Sequence, residues 1–212
     1  MPPTDRLFID EKSILPQAAL RVMPGEPIEV SLRATPGMMV DARLPRGPWL
    51  RLAEETDAVT SRPTGRYTGY AAFAEREDTS AAPIEVRLKA APGTKVSGRR
   101  SLDATSPGTV GVWNPDRVRL VVVAADGADL TWGLHEVRLG GPNLAELGGG
   151  TLLRITGQRG DAYRVRLASD TEGWVAIGSV TPAPAAAQMP YLIFTSLSVS
   201  GDAIGDTVVI PY

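Results

Sequence analysis

Apolar and polar residues alternate strictly through Ile28-Glu29-Val30-Ser31-Leu32-Arg33-Ala34. That period of two belongs to a strand with one buried face, and Pro36-Gly37 ends it. Met39 to Leu44 repeats the pattern and runs into Pro45-Arg46-Gly47-Pro48, after which Trp49-Leu50-Arg51-Leu52 reads as the returning strand. Arg66 to Phe73 and Ile84 to Ala90 continue the series. Short alternating strands punctuated by turn residues predict an immunoglobulin-like β-sandwich over residues 1–92. One echo runs through it: Pro27 to Gly37 and Pro83 to Gly93 differ only at Ser31/Arg87, Arg33/Lys89 and Thr35/Ala91. Two strands with similar burial, each ending at a Pro-Gly turn, account for the echo without a duplicated module.

From Gly93 to Asp116 the chain turns polar and reads as a loose connection carrying Trp113. The β-branched run Val118-Arg119-Leu120-Val121-Val122-Val123 then opens a second core. Glycine is too dense between Asp126 and Gly150 for a helix of useful length. Three short strands follow, Thr151 to Thr156, Asp161 to Leu167 and Gly173 to Ile177, at hairpin spacing. Residues 93–180 are therefore expected to form a small barrel with preceding strands. The tract Thr181-Pro182-Ala183-Pro184-Ala185-Ala186-Ala187 reads as an extended linker. Beyond it, Leu192 to Val199 and Thr207 to Ile210 make a strand pair that is marginal alone. Residues 181–212 are thus read as linker plus the start of a third β segment, truncated at Tyr212. The expected fold class is all-β throughout.

Composition fits this picture. A chain of 212 residues is comfortable as two domains, and 22 Gly with 18 Pro suit short strands and tight turns better than helices. The 22 basic and 24 acidic residues are interspersed and leave a net charge of −2, so no single-signed field attracts a nucleic acid. The longest apolar stretch, around Val121 to Ala125, is far short of the roughly 18 residues a membrane span requires, so no membrane insertion is expected. Cysteine is absent, which removes disulfides, thiol nucleophiles and thiolate metal sites together. Met1 to Arg6 lacks the basic and then apolar pattern of a secretory signal, leaving either a cytoplasmic chain or one whose signal has been removed.

The same inventory argues against catalysis. A catalytic zinc takes three protein ligands, and His135 is the only histidine. No Gly-x-Ser-x-Gly elbow accompanies it. Gly148-Gly149-Gly150 lacks the Lys and Ser/Thr of a phosphate loop. No carboxylate pair carries the apolar flanks that would raise one pKa, and Glu54, Glu55, Asp57, Glu75, Glu77 and Asp78 read as solvated. No catalytic residue, metal or cofactor is expected. The aromatics remain: Trp132, Tyr163 and Trp174, with His135 beside them, are the candidate ligand-binding residues. Tyr163 and Trp174 also stand where a small barrel fills its interior, and both readings stay open. Trp49 and Trp113 follow turns and are expected to pack between domains.

Residues His135 to Val180 resemble a bacterial SH3-like (SH3b) domain. The likeness rests on His135-Glu136-Val137-Arg138-Leu139-Gly140-Gly141-Pro142, on Gly149 to Gly157, on Gly160-Asp161-Ala162-Tyr163-Arg164-Val165-Arg166-Leu167 and on Glu172-Gly173-Trp174-Val175. Tyr163, Val165 and Leu167 share one face of a strand, and Trp174 is expected to plug one end of the barrel. The wider order is similar to the non-catalytic N-terminal region of bacterial N-acetylmuramoyl-L-alanine amidases, in which β domains precede a zinc-dependent hydrolase of peptidoglycan. The resemblance implies an extracytoplasmic segment of the cell envelope, a peptidoglycan peptide or glycan as partner, and an attached catalytic domain in the full-length protein. The alternative is a structural or protein-interaction module without affinity for the wall.

Overall fold

The computed structural model describes residues 5–74, 78–131, 143–168 and 171–187. The fold is all-β. The first half supplies β1 (Ile9–Asp10), β2 (Leu20–Val22), β3 (Ile28–Ala34), β4 (Met39–Arg43), β5 (Leu50–Arg51), β6 (Ala53–Thr56), β7 (Pro63–Ala71), β8 (Ala82–Lys89) and β9 (Ser101–Val112). The second supplies β10 (Leu120–Val123), β11 (Ala128–Thr131), β12 (Asn143–Leu147), β13 (Leu152–Arg159), β14 (Ala162–Ala168), β15 (Thr171–Ala176) and β16 (Val180–Pro182).

One sheet has the order β1-β3-β7-β6. It faces β9, β8, β4 and β5 across a core where Ile28, Val30 and Leu32 of β3 join Ile84, Val86 and Leu88 of β8. The sequence echo thus falls on two strands of opposite sheets, each with its Ile, Val and Leu fully buried. Both are followed by a Pro-Gly turn, with Gly37 at φ 73° and Gly93 at φ 79°. Burying each such side chain stabilises the fold by about 1.5–3 kcal/mol. The chain changes sheets at Leu52, whose N–H donates to the Val40 carbonyl at 2.9 Å before β6 joins β7. Tyr67 is sealed in the interior, where its hydroxyl donates to the Thr35 carbonyl at 2.8 Å and accepts from the Met38 N–H at 3.0 Å. Burial pushes its phenol pKa well up, so the ring stays neutral.

The stretch expected to be a loose connection holds β9, the longest strand among the described residues. Its pairing with β8 breaks between Pro83 and Glu85, and the Ser106 hydroxyl accepts the Ile84 N–H at 2.9 Å there. A buried bulge replaces ladder bonds by a side chain, which is why a segment containing Pro107 and Gly108 can be a strand at all. Val110 and Val112 of β9 belong to the first core, which therefore extends past the Pro92 boundary expected from the sequence.

The second core gathers Val121, Val123, Leu130, Leu153, Ile155, Val165, Val175 and Val180 inside a sheet with the order β16-β10-β13-β14-β15-β11-β12. Its β13-β14-β15 meander matches the three short strands expected at hairpin spacing. Thr181 and Pro182, read as linker, pair with Val122 and Val121 and close this sheet. The strand pair expected after residue 187 lies outside the described residues.

One strand joins the sheets around the two cores. β2 runs parallel to β9, with Arg21 opposite Gly111, and antiparallel to β13, with Arg21 opposite Gln158. The Gly108 N–H donates to the Pro16 carbonyl at 3.0 Å where the segment leading into β2 crosses β9. A Cβ at residue 108 would lie 2.5 Å from that same carbonyl oxygen, so only glycine permits the approach.

Candidate functional site

Among the residues singled out from sequence, Tyr163 and Trp174 fall on opposite faces of the β14-β15 ladder. Tyr163 lies opposite Val175 and is packed, half-buried, against the second core. Trp174 lies opposite Arg164, on the face that carries Arg166 and Glu172. It therefore does not plug the interior, which is filled by Val165 and Val175 instead. The two rings do not line a common groove. Trp132 and His135 lie outside the described residues.

Tyr163 meets Trp113, their ring centres 6.4 Å apart and tilted by 45°. The Trp113 N–H donates to the Val22 carbonyl at 3.0 Å, and the Arg119 guanidinium sits 5.1 Å above its ring. Trp113 thus packs between the two units as expected. Trp49 does not: it lies 37% exposed on the outer face of the β5-β4-β8 sheet, with the Arg43 and Arg87 guanidiniums each 4.7 Å from its ring centre. Cation–π contacts of this exposed kind contribute about 0.5–1 kcal/mol each.

Several carboxylates read as solvated have structural partners. Glu54 accepts the N–H groups of Gly37 and Gly65 at 2.9–3.1 Å and ties two turns together. Asp57 accepts from the Thr60 and Val59 N–H groups and the Thr60 hydroxyl, and these bonds, the Thr60 N–H first, hold its carboxyl below the usual range. Asp78 accepts the Asn114 N–H at 2.7 Å and pairs with Arg119 at 2.6 Å and Arg117 at 3.2 Å. The Asn114 N–H above all, and then the two guanidiniums, depress its pKa. Across the junction the Arg164 guanidinium binds Glu26, from the turn before β3, together with Glu172 at 3.3 Å. Among the described residues no cluster of three or more His, Asp or Glu is placed to hold a metal ion.

An apolar concavity that sequence reasoning did not single out opens at the end of the two-sheet unit. It is a cleft of about 310 Å³ between the β4-β5 turn and the end of β7. Val30, Ala42, Leu44, Leu50 and Phe73 form its wall, and Arg46 and Tyr70 stand at its rim. Tyr70 is 65% exposed. The rim turn is closed by the Gly47 N–H donating to the Leu44 carbonyl at 2.9 Å, and Arg46 within it takes φ 63°. A non-glycine residue rarely adopts that conformation, and such strain concentrates where a fold holds a side chain for a purpose. A largely apolar cleft with a few convergent polar groups is the usual form of a small-ligand site, and this one has the volume of a short peptide fragment. Its wall residues come from β3, β4, β5, the turn after β4 and the segment after β7, so each reads in sequence only as core.

Among the described residues no helix is long and apolar enough to cross a membrane. No family model, curated protein or solved structure matches the chain.

Proposed function

We propose that the chain is a non-catalytic module of the bacterial cell envelope, an immunoglobulin-like unit and an SH3-like (SH3b) barrel acting as one rigid spacer. It would hold an attached N-acetylmuramoyl-L-alanine amidase-like hydrolase in place on peptidoglycan. One observation carries the reading: β2 is paired to β9 on one side and to β13 on the other. Domains joined only by linkers move relative to one another, whereas a shared central strand fixes their geometry, which positioning requires. The β14-β15 hairpin supports the barrel assignment, because its sequence is the one on which the SH3-like resemblance rests. The scarcity of imidazole and the lack of thiol support a holding role over hydrolysis.

A second reading, a structural or protein-interaction module without wall affinity, is favoured by the opposite facing of Tyr163 and Trp174. Retention on purified peptidoglycan sacculi separates the two. Binding above an unrelated control that drops with Trp132→Ala supports the wall-binding module, and no retention favours the second reading. Turnover of a wall substrate by this chain alone, without added metal, would overturn both.

A further inference from the structure

We infer that the cleft between the β4-β5 turn and the end of β7 receives the C-terminus of a peptide, its last aliphatic side chain inside and its free carboxylate on Arg46. This site is separate from the aromatics of the second unit and does not depend on attachment to the wall. Three features on one side of the molecule lead to it. The interior is aliphatic and aromatic and is sized for one or two small residues. The cations around it are otherwise engaged: Arg43 is bound to Glu85 at 2.7 Å and Arg51 to Asp41 at 2.6 Å. Arg46 is exposed and has no hydrogen-bond or ion-pair partner among the described residues. A guanidinium with its whole fork of donors available matches a carboxylate in both geometry and charge.

The third feature selects a peptide over other acids. β5 is the last strand of its sheet, and Leu50 of that strand lines the cleft. Its free edge offers backbone donors and acceptors to an incoming extended chain, the arrangement by which sheet edges bind peptides. The backbone at Arg46 points the same way. Glycine would sit at φ 63° without strain, and Gly47 is the next residue, yet the left-handed position carries the long cation.

The test is titration of the full chain, followed by calorimetry and by amide NMR shifts, with acetyl-Ala-Leu, its C-terminal carboxamide, and acetyl-Ala-Gly. The free acid should bind about tenfold or more tightly than the carboxamide, the effect of losing one charge-assisted hydrogen-bonded pair. Shifts should centre on Leu44 to Leu50 and Tyr70 to Ala74, and acetyl-Ala-Gly should bind more weakly for lack of the aliphatic side chain. Arg46→Gln should abolish the preference for acid over amide. Arg46→Gly should do the same while leaving the thermal midpoint unchanged or raised, which separates recognition from folding. Equal binding of acid and amide, a preference that survives Arg46→Gln, or no binding of any of the three at millimolar concentration would overturn the inference.

Discussion

The first unit buries Tyr67 and Phe73 between two facing sheets, whereas the second closes a single curled sheet around aliphatic side chains. In the larger core the Tyr67 and Ser106 hydroxyls find their hydrogen-bond partners within the same unit. The smaller core leaves Trp113 and Tyr163 half-buried at its boundary. It completes that boundary with groups of the first unit: the Val22 carbonyl on Trp113, Asp78 on Arg119 and Glu26 on Arg164. Small cores bury a smaller fraction of their surface and are correspondingly marginal. The difference shows why β2 matters: through it the second unit gains a paired strand and a set of partners from its neighbour.

The strongest way to break this relation is Arg21→Pro. Proline removes a backbone donor from the central strand and crowds the ladder, which the interior of a sheet does not accommodate. Two separate unfolding transitions are expected, the second unit melting first. Arg21→Ala loses only the guanidinium bond to the Thr79 carbonyl, 2.6 Å long, and should keep a single transition. Next in size are Leu88→Ala and Leu153→Ala, one in each core and both fully buried. Each should cost about 2–5 kcal/mol by chemical denaturation. In a shared structure both must lower the same midpoint, read equally by Trp49 fluorescence in the first unit and Trp174 fluorescence in the second.

Asp78→Asn sharpens the comparison with the smallest effect, about 1 kcal/mol or less for a partly exposed pair. Because the folded-state pKa of Asp78 is depressed, its contribution is complete above the unfolded aspartate value of about 3.9 and is lost as pH falls through the lower folded value. Denaturation of the two proteins should therefore differ at pH 7 and converge in acid.

Much of this architecture is legible in the sequence where one face of a strand is buried. β3, β4, β8 and β14 show their alternation because their outward positions are mostly polar, and β13 and β15 are legible from the hairpin spacing of their runs. β2 was not legible: three residues are too few to display a period, and its role comes from its two neighbours. β9 was hidden by Pro107 and Gly108, which sequence reasoning assigns to loops and which the structure accommodates in a bulge supported by Ser106. The rim turn at Pro45 to Pro48 was plain, but not the left-handed conformation of Arg46, since Gly47 is the residue chemistry would place there. The cleft itself is made of residues distant in sequence and assembled only by the two sheets.

Differential scanning calorimetry of the intact chain tests the shared-strand account most directly. One transition is predicted, with the calorimetric enthalpy equal to the van't Hoff enthalpy, as cooperative unfolding of a single unit requires. Two resolved transitions in the unaltered chain, or a calorimetric enthalpy about twice the van't Hoff value, would contradict it.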